Sequence, residues 1–495
     1  MLSRRTFCGA GVLASGARRT ARPNLLFLIS DDHAGYVLGA DGDRLARTPN
    51  LDRLAAEGVR FARHYCNSPV CTPSRQSFLT GQMPHAAGVT VLGTALSEDK
   101  PTLARGLSNA GYHTAVFGKM HFNRPPSPGQ HGFQLAMTEA AIAQAWNKEV
   151  RPKPVPAEVR TQPPWRPFKD PARVWLNADK LPYPRYYEDM RSTYIARCAI
   201  KYLEQHRDTP FALWVSFQEP HSPFDFPVED RDLFDPARLT PPPVGPEDAW
   251  QIPLIFRDLS DADKRGIMAA YYTSVAFLDR NVGAVLDKLR TLGLENDTLV
   301  VYMGDNGYCL GHHGRFEKHC SYEPAIRIPL IMRWPGRIRP GVVRDLTEAV
   351  DVAPTVLDLL GIEPLPVRHG QSLRPYLEGR RPRAPRQYVF SEYLENEEAC
   401  VRTRGYKLVF CSGRRERRDG YKTDNPTPGR WLRLYDLQAD PGEFHDVSKK
   451  RPELVERLLG LMLERFRQTH PEADREPQGL SAPEALEYYL RPRDA

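Results

Sequence analysis

Short apolar runs of strand length alternate along this chain with stretches whose apolar positions recur at helical spacing. That alternation predicts an α/β fold on a large, mostly parallel sheet flanked by helices. Four of the runs end alike. Residues 25–29 lead into Asp31 and Asp32, residues 114–117 into Lys119 and His121, residues 211–217 into Glu219 and His221, and residues 299–303 into Asp305 and Asn306. Unbroken apolar runs suit strands covered on both faces. In an open α/β sheet the ligand crevice lies beyond the carboxyl ends of the strands. Four buried strands that each release polar residues there predict a built active site.

Between strands, residues 269–292 carry Val275, Leu278, Val282, Val285, Leu286 and Leu289 on one helical face, and Gly293 closes the helix. Residues 125–190 differ. Six prolines fall within 151–170, too many for a helix or a central strand. The segment reads as an irregular insertion over the site, where specificity would reside, or as a solvated loop. The Arg- and Pro-rich stretch 379–386 reads as a linker. Strand-like runs at 388–393, 406–411 and 432–437 follow, then a helix over 452–469. The expected layout is an export segment at 1–22, a catalytic domain at 23–379 and a smaller α+β domain at 380–495.

Composition narrows the class. At 495 residues, 41% hydrophobic and 26% charged, the chain can bury a large core. No apolar run approaches the ~20 residues of a membrane span. The formal charge of +7 favours anionic partners, but no nucleic-acid motif accompanies it. Ser3-Arg4-Arg5-Thr6-Phe7 and the small apolar stretch after it resemble a twin-arginine export signal, against the alternative of a basic tail. Export would place the protein in the periplasm or outside the cell. Eight cysteines match no disulfide framework or zinc spacing; Cys400 and Cys411 would bridge a hairpin, or all would stay as buried thiols.

Candidate chemistry concentrates first in Cys71-Thr72-Pro73-Ser74-Arg75. Pro73 suits the first turn of a helix, whose unpaired N–H groups and partial positive charge lower a thiol pKa and favour anions. Arg75 adds a bidentate donor for an oxyanion. Position 71 is then a thiolate nucleophile or an anion-site residue, against the plainer reading of a small buried hydrophobe. Asp31, Asp32, Asp305 and Asn306 offer only side-chain oxygens, which suits a hard cation, Ca²⁺ or Mg²⁺. Lys119, His121, His221 and Lys318, the last in Gly311-His312-His313-Gly314-Arg315-Phe316-Glu317-Lys318, are what an ester hydrolase needs around an oxyanion.

The run Cys71-Thr72-Pro73-Ser74-Arg75 resembles the signature of type I sulfatases, and the likeness extends over most of the chain. Gly118-Lys119-Met120-His121 and Gly304-Asp305-Asn306-Gly307 are similar too, as are Thr48 to Leu54, Thr80 to His85, Tyr322-Glu323 with Arg327 to Leu330, and Leu434 to Leu437 with Asp440-Pro441. The resemblance implies an alkaline phosphatase-like fold and hydrolysis of a sulfate ester on a small molecule or glycan. It implies that a formylglycine-generating system oxidises Cys71 to Cα-formylglycine, whose hydrate attacks sulfur. Ca²⁺, in preference to Mg²⁺, would be held by Asp31, Asp32, Asp305, Asn306 and residue 71. Arg75 would hold residue 71, Lys119 and His121 would contact its hydroxyls, and His221 and Lys318 would contact the sulfate and leaving oxygen. The competing expectations are a phosphodiester or phosphonate monoester hydrolase of the same superfamily, and a non-catalytic relative that binds sulfated glycans.

Overall fold

A computed structural model describes residues 22–124, 129–164, 166–414, 417, 419–424 and 430–494. The expected export segment therefore lies outside the described residues, except for Arg22. In chain order the strands are β1 (Asn24–Ser30), β2 (Val59–Phe61), β3 (His64–Tyr65), β4 (His113–Gly118), β5 (Leu135–Met137), β6 (Phe211–Ser216), β7 (Thr298–Gly304), β8 (Leu330–Arg333), β9 (Gly341–Val343), β10 (Thr347–Glu348), β11 (Tyr388–Tyr393), β12 (Glu398–Thr403), β13 (Tyr406–Cys411) and β14 (Trp431–Asp436).

An eight-stranded sheet has the order β5-β4-β6-β1-β7-β8-β2-β9. The first five of these run parallel, and β8 is antiparallel to both its neighbours. The four strands singled out by their endings, β4, β6, β1 and β7, are contiguous at its centre. Their alternating side chains feed two cores. Leu25, Phe27 and Ile29 of β1 join Val301 and Met303 on one face, while Leu26 and Leu28 join Val300 and Tyr302 on the other. Both faces are covered, so each run is apolar throughout. The Cys71–Thr80 helix packs on the first face through Phe78 and Leu79. The Asp261–Thr291 helix packs on the second through Leu278, Val282, Val285 and Leu289.

The register brings the four carboxyl ends level. Gly118 lies opposite Ser216, Ser216 opposite Ile29, and Ser30 opposite Gly304. Gly118 has φ 105°, and a Cβ there would stand 1.8 Å from the Ser216 carbonyl oxygen. Only glycine lets β4 turn into the site this close to β6.

Several sequence expectations need correction. The long helix starts at Asp261 rather than 269, because Ser260 and Asp263 form a capping box before the apolar repeat begins. Residues 125–190 are not irregular throughout: they add β5 to the sheet edge and a helix over Glu139–Glu149. The 379–386 stretch is pinned, since Arg386 pairs with Glu348 at 2.8 Å and with Asp351. Cys400 faces Val409 and Cys411 faces Glu398 across β12 and β13, so the pair cannot bridge that hairpin, and the described cysteines are free.

C-terminal strands β11 to β14 form an antiparallel sheet in sequence order. One face, with Val389, Cys400, Val409 and Tyr435, closes on the core of the large sheet. The other, with Phe390, Val401, Leu408 and Phe410, is covered by the helices Pro452–Thr469 and Ala482–Tyr489. Strand β12 and the last helix are additions to the sequence reading. Among the described residues no helix is long and apolar enough to cross a membrane.

Candidate active site

Every residue of the Cys71–Thr80 helix is buried, and its first turn points at the carboxyl ends of β1 and β7. Ser74 Oγ donates to the Asp305 carbonyl oxygen. The Cys71 Sγ lies 3.3 Å from Asp31 Oδ1 and 4.0 Å from Asp32 Oδ1, and 2.6 Å from the Lys318 ammonium. Lys318 also pairs with Asp32 and stands 3.8 Å from Asp31 Oδ1. Lys119 pairs with Asp31. Lys119, Lys318 and the guanidinium of Arg75 thus face three carboxylates, those of Asp31, Asp32 and Asp305.

Arg75 makes contacts that the sequence does not announce. Its Nε donates to Asp305 Oδ2 at 2.8 Å, its Nη2 lies 3.4 Å from Asp31 Oδ2, and its Nη1 donates to the Lys119 carbonyl at 2.5 Å and to Ser216 Oγ at 2.8 Å. The guanidinium therefore ties β1, β4, β6 and β7 together from beneath, and its hydrogen bonds go to these groups rather than to residue 71.

Asp32 takes a left-handed backbone, φ 64°. Its N–H donates to Asp305 Oδ1 at 3.0 Å, and Tyr271 of the long helix donates to its carbonyl at 2.6 Å. Asn306 donates from Nδ2 to Asp32 Oδ1 at 2.7 Å, while its Oδ1 is buried with no hydrogen-bond partner. An orphaned acceptor among carboxylates has the chemistry of a cation ligand. Asp31, Asp32, Cys71 and His221 each bring a donor atom within 4.8 Å of the others. The two carboxylates, with Asn306 Oδ1, supply the oxygens that fit a hard divalent cation, while Cys71 and His221 add a sulfur and a nitrogen. Both Asp305 oxygens already accept protein hydrogen bonds, from Arg75 and from the Asp32 and Asn306 N–H groups.

Electrostatics follow from burial. Burial opposes the charge on Asp31, but Lys119, His221, Arg75 and Lys318 outweigh it and hold the carboxyl well below its usual range. Burial pushes Asp32 up to about 7, with Lys318 opposing and the Asp31 and Asp305 charges adding. Burial and then Asp31 raise the Cys71 thiol well above its ordinary value, in spite of Lys318 and Lys119. The thiolate reading of position 71 is therefore not supported: the helix N-terminus is outweighed by desolvation.

His221 donates from Nδ1 to the Ser222 carbonyl at 2.6 Å, and its Nε2 stands 3.9 Å from Asp32 Oδ2. Burial and Lys119 lower its pKa to about 3. His121 is held lower still by burial, Lys119 and Arg75, and its Nδ1 has no hydrogen-bond partner. Both imidazoles are neutral at ordinary pH. Ser74, Ser216 and Tyr271 hold the site from outside the set that the sequence points to.

Sheet order, strand-end chemistry and the buried helix give the chain an alkaline phosphatase/sulfatase-like architecture. A solved phosphonate monoester hydrolase of Agrobacterium radiobacter superposes with a TM-score of 0.76 at 23% identity, covering 92% of this chain and 97% of that one. The sequence goes one step further. The sulfatase family model matches residues 23–362, and the chain belongs to the sulfatase family, an enzyme class of sulfuric ester hydrolases. A model described as N-sulphoglucosamine sulphohydrolase, C-terminal, matches residues 311–469. Among curated proteins, the chain is 28% identical over 461 residues to a choline-sulfatase of Rhizobium meliloti, covering 87% of this chain and 83% of that one. It is 28% identical over 500 residues to an N-acetylglucosamine-6-O-sulfatase of Bacteroides thetaiotaomicron, covering 89% and 86%.

Proposed function

We propose that this chain hydrolyses a sulfate ester on a carbohydrate, that Cys71 is first converted to Cα-formylglycine by a dedicated maturation system, and that the enzyme acts outside the cytoplasm. The observation that carries the reading is the setting of residue 71. Its Sγ lies between the Lys318 ammonium at 2.6 Å and Asp31 Oδ1 at 3.3 Å, yet burial keeps the thiol protonated. A group placed so centrally and so poor as a thiolate fits a position whose chemistry comes from modification.

A hydrated aldehyde there supplies two hydroxyls on one carbon, one to attack sulfur and a second whose deprotonation releases sulfate. Asp31, Asp32, Asp305, Asn306 and residue 71 would hold Ca²⁺, which would supply Lewis acidity to the reacting group. The chain's own side chains do the rest. Lys119 and Lys318 neutralise charge on the transferring group. His121, neutral and unpartnered at Nδ1, accepts the proton of the second hydroxyl. His221, with its Nδ1–H committed to the Ser222 carbonyl, carries no proton at Nε2 at rest, and would pass to the leaving oxygen the proton that Nε2 takes from the attacking hydroxyl. Arg75 keeps Asp31 and Asp305 in register. The carbohydrate is supported by the N-acetylglucosamine-6-O-sulfatase relative and by the chain's net positive charge, and export by the Arg4-Arg5 segment.

The likeness to phosphonate monoester hydrolase favours one second reading, a phosphorus ester handled by the same groups. Initial rates on an aryl sulfate and an aryl phosphonate separate the two, with peptide mass over residue 71 reporting the aldehyde. Cys71→Ser lacks the second hydroxyl and is expected to stop as a covalent sulfated enzyme. Steady turnover by that variant would sink the formylglycine reading.

A further inference from the structure

Past β4 the chain makes an unusual turn. His121 and Asn123 both hold left-handed backbones, φ 53° and 55°, a region that few non-glycine residues occupy. The turn sets the direction in which the His121 side chain leaves the backbone.

Two side chains from separate elements grip it. Glu139, the first residue of the Glu139–Glu149 helix, accepts two hydrogen bonds on one oxygen, Oε1, from Met120 N at 2.9 Å and His121 N at 2.6 Å. Gln76, next to Arg75 on the site helix, donates from Nε2 to the carbonyl oxygens of Met120 at 3.1 Å and His121 at 3.0 Å. The peptide that carries the imidazole is thus held at its N–H groups from one side and at its carbonyls from the other. A carboxylate suits the first task, because two converging N–H groups need an acceptor with more than one lone pair and favour a negative charge. Glu139 is half-buried, so it can be altered without opening the core.

We infer that Glu139 is a positioning residue for His121, reaching the site from the edge of the sheet, with Gln76 as its counterpart. This rests on the reading of His121 as a proton acceptor. A misplacement of about 1 Å costs about 10²-fold in turnover, and that scale sets the expectation.

The test uses the full-length matured enzyme and an aryl sulfate, measuring kcat, KM and unfolding temperature for Glu139→Ala, Glu139→Gln, Glu139→Asp, His121→Ala and the Glu139→Ala/His121→Ala pair. Glu139→Ala is expected to lower kcat by about 10²-fold with KM nearly unchanged. Glu139→Gln keeps an acceptor oxygen in place and should recover most of the loss. Glu139→Asp, which withdraws the carboxylate by one methylene, should fall between and covers the case in which the alanine variant folds poorly. The double variant should be no slower than His121→Ala alone. Wild-type kcat in Glu139→Ala and Glu139→Asp, with His121→Ala impaired, overturns the inference and leaves the function standing. A double variant much slower than His121→Ala also overturns it. Wild-type turnover by His121→Ala removes the proton-acceptor role itself, and the inference with it.

Discussion

The Lys318 ammonium touches residue 71 and Asp32 at once: it lies 2.6 Å from the Cys71 Sγ and pairs with the Asp32 carboxylate. One side chain therefore joins position 71 to a carboxylate proposed to hold the cation. Lys318→Ala should remove a preorganised charge and cost about 3 kcal/mol in the barrier. The comparison is kcat/KM on an aryl sulfate, and a rate equal to wild type would take Lys318 out of the chemistry.

Arg75 is wholly buried between Asp31 and Asp305. Replacing it by Met would leave buried carboxylates without their partner, at a cost of about 3–5 kcal/mol. Lys at this position would keep a charge but not the four-way geometry, and should recover only part of that loss. Denaturant unfolding measures both. A Met variant as stable as wild type would contradict the bracing assigned to the guanidinium.

The unpartnered Asn306 Oδ1 predicts that Ca²⁺ stabilises the folded chain. At a hundredfold excess over its Kd, one bound ion adds about 2.7 kcal/mol, read as a rise in unfolding temperature after chelation and re-addition. Ca²⁺ should exceed Mg²⁺, which demands near-ideal octahedral geometry and gives up water reluctantly. Asn306→Ala should shift the Ca²⁺ midpoint to higher concentration. No thermal response to Ca²⁺ would count against a cation site.

His64 predicts part of the acid lability. Its ring is buried, 2.9 Å from Thr347 Oγ1, and burial, then Arg386, lowers its pKa to about 3. The folded value lies below the unfolded value of about 6.5, so the fold resists protonation. Its contribution is intact above about pH 6.5 and is lost as pH falls toward about 3, with a slope approaching 1.4 kcal/mol per pH unit. His64→Asn should flatten stability against pH between 6 and 4 by about that amount. An unaltered slope would show that His64 does not carry this linkage.

The central strands were legible because burial on both faces leaves an unbroken apolar run, and their boundaries fall within a residue or two of the expected ones. The long helix was legible only where its apolar face begins, since its first two turns are announced by a polar capping box. Strand β12 escaped notice because Glu398 and Arg402 break its apolar run; both are buried and find partners in Ser321 and Glu323. At the site, residue types were readable from motif spacing, but side-chain direction was not. Arg75 faces carboxylates and backbone beneath the site, a choice made by four strand ends that only the folded sheet brings together. Glu139 left no signal, because it works through a single oxygen on two amide hydrogens.

The burial of the Cys71–Thr80 helix fixes an order of events in time. Cys71 is 2% exposed, at the carboxyl ends of a sheet whose central strands are drawn from segments as far apart as residues 24 and 304. Once that sheet closes, no macromolecular catalyst can reach the sulfur. Under the formylglycine proposal, conversion of residue 71 then has to run ahead of folding, and a molecule that folds first is committed to the thiol form for as long as it stays folded. The fraction of active enzyme in a preparation is then set by a race between two rates, and slowing the chain's folding should raise it.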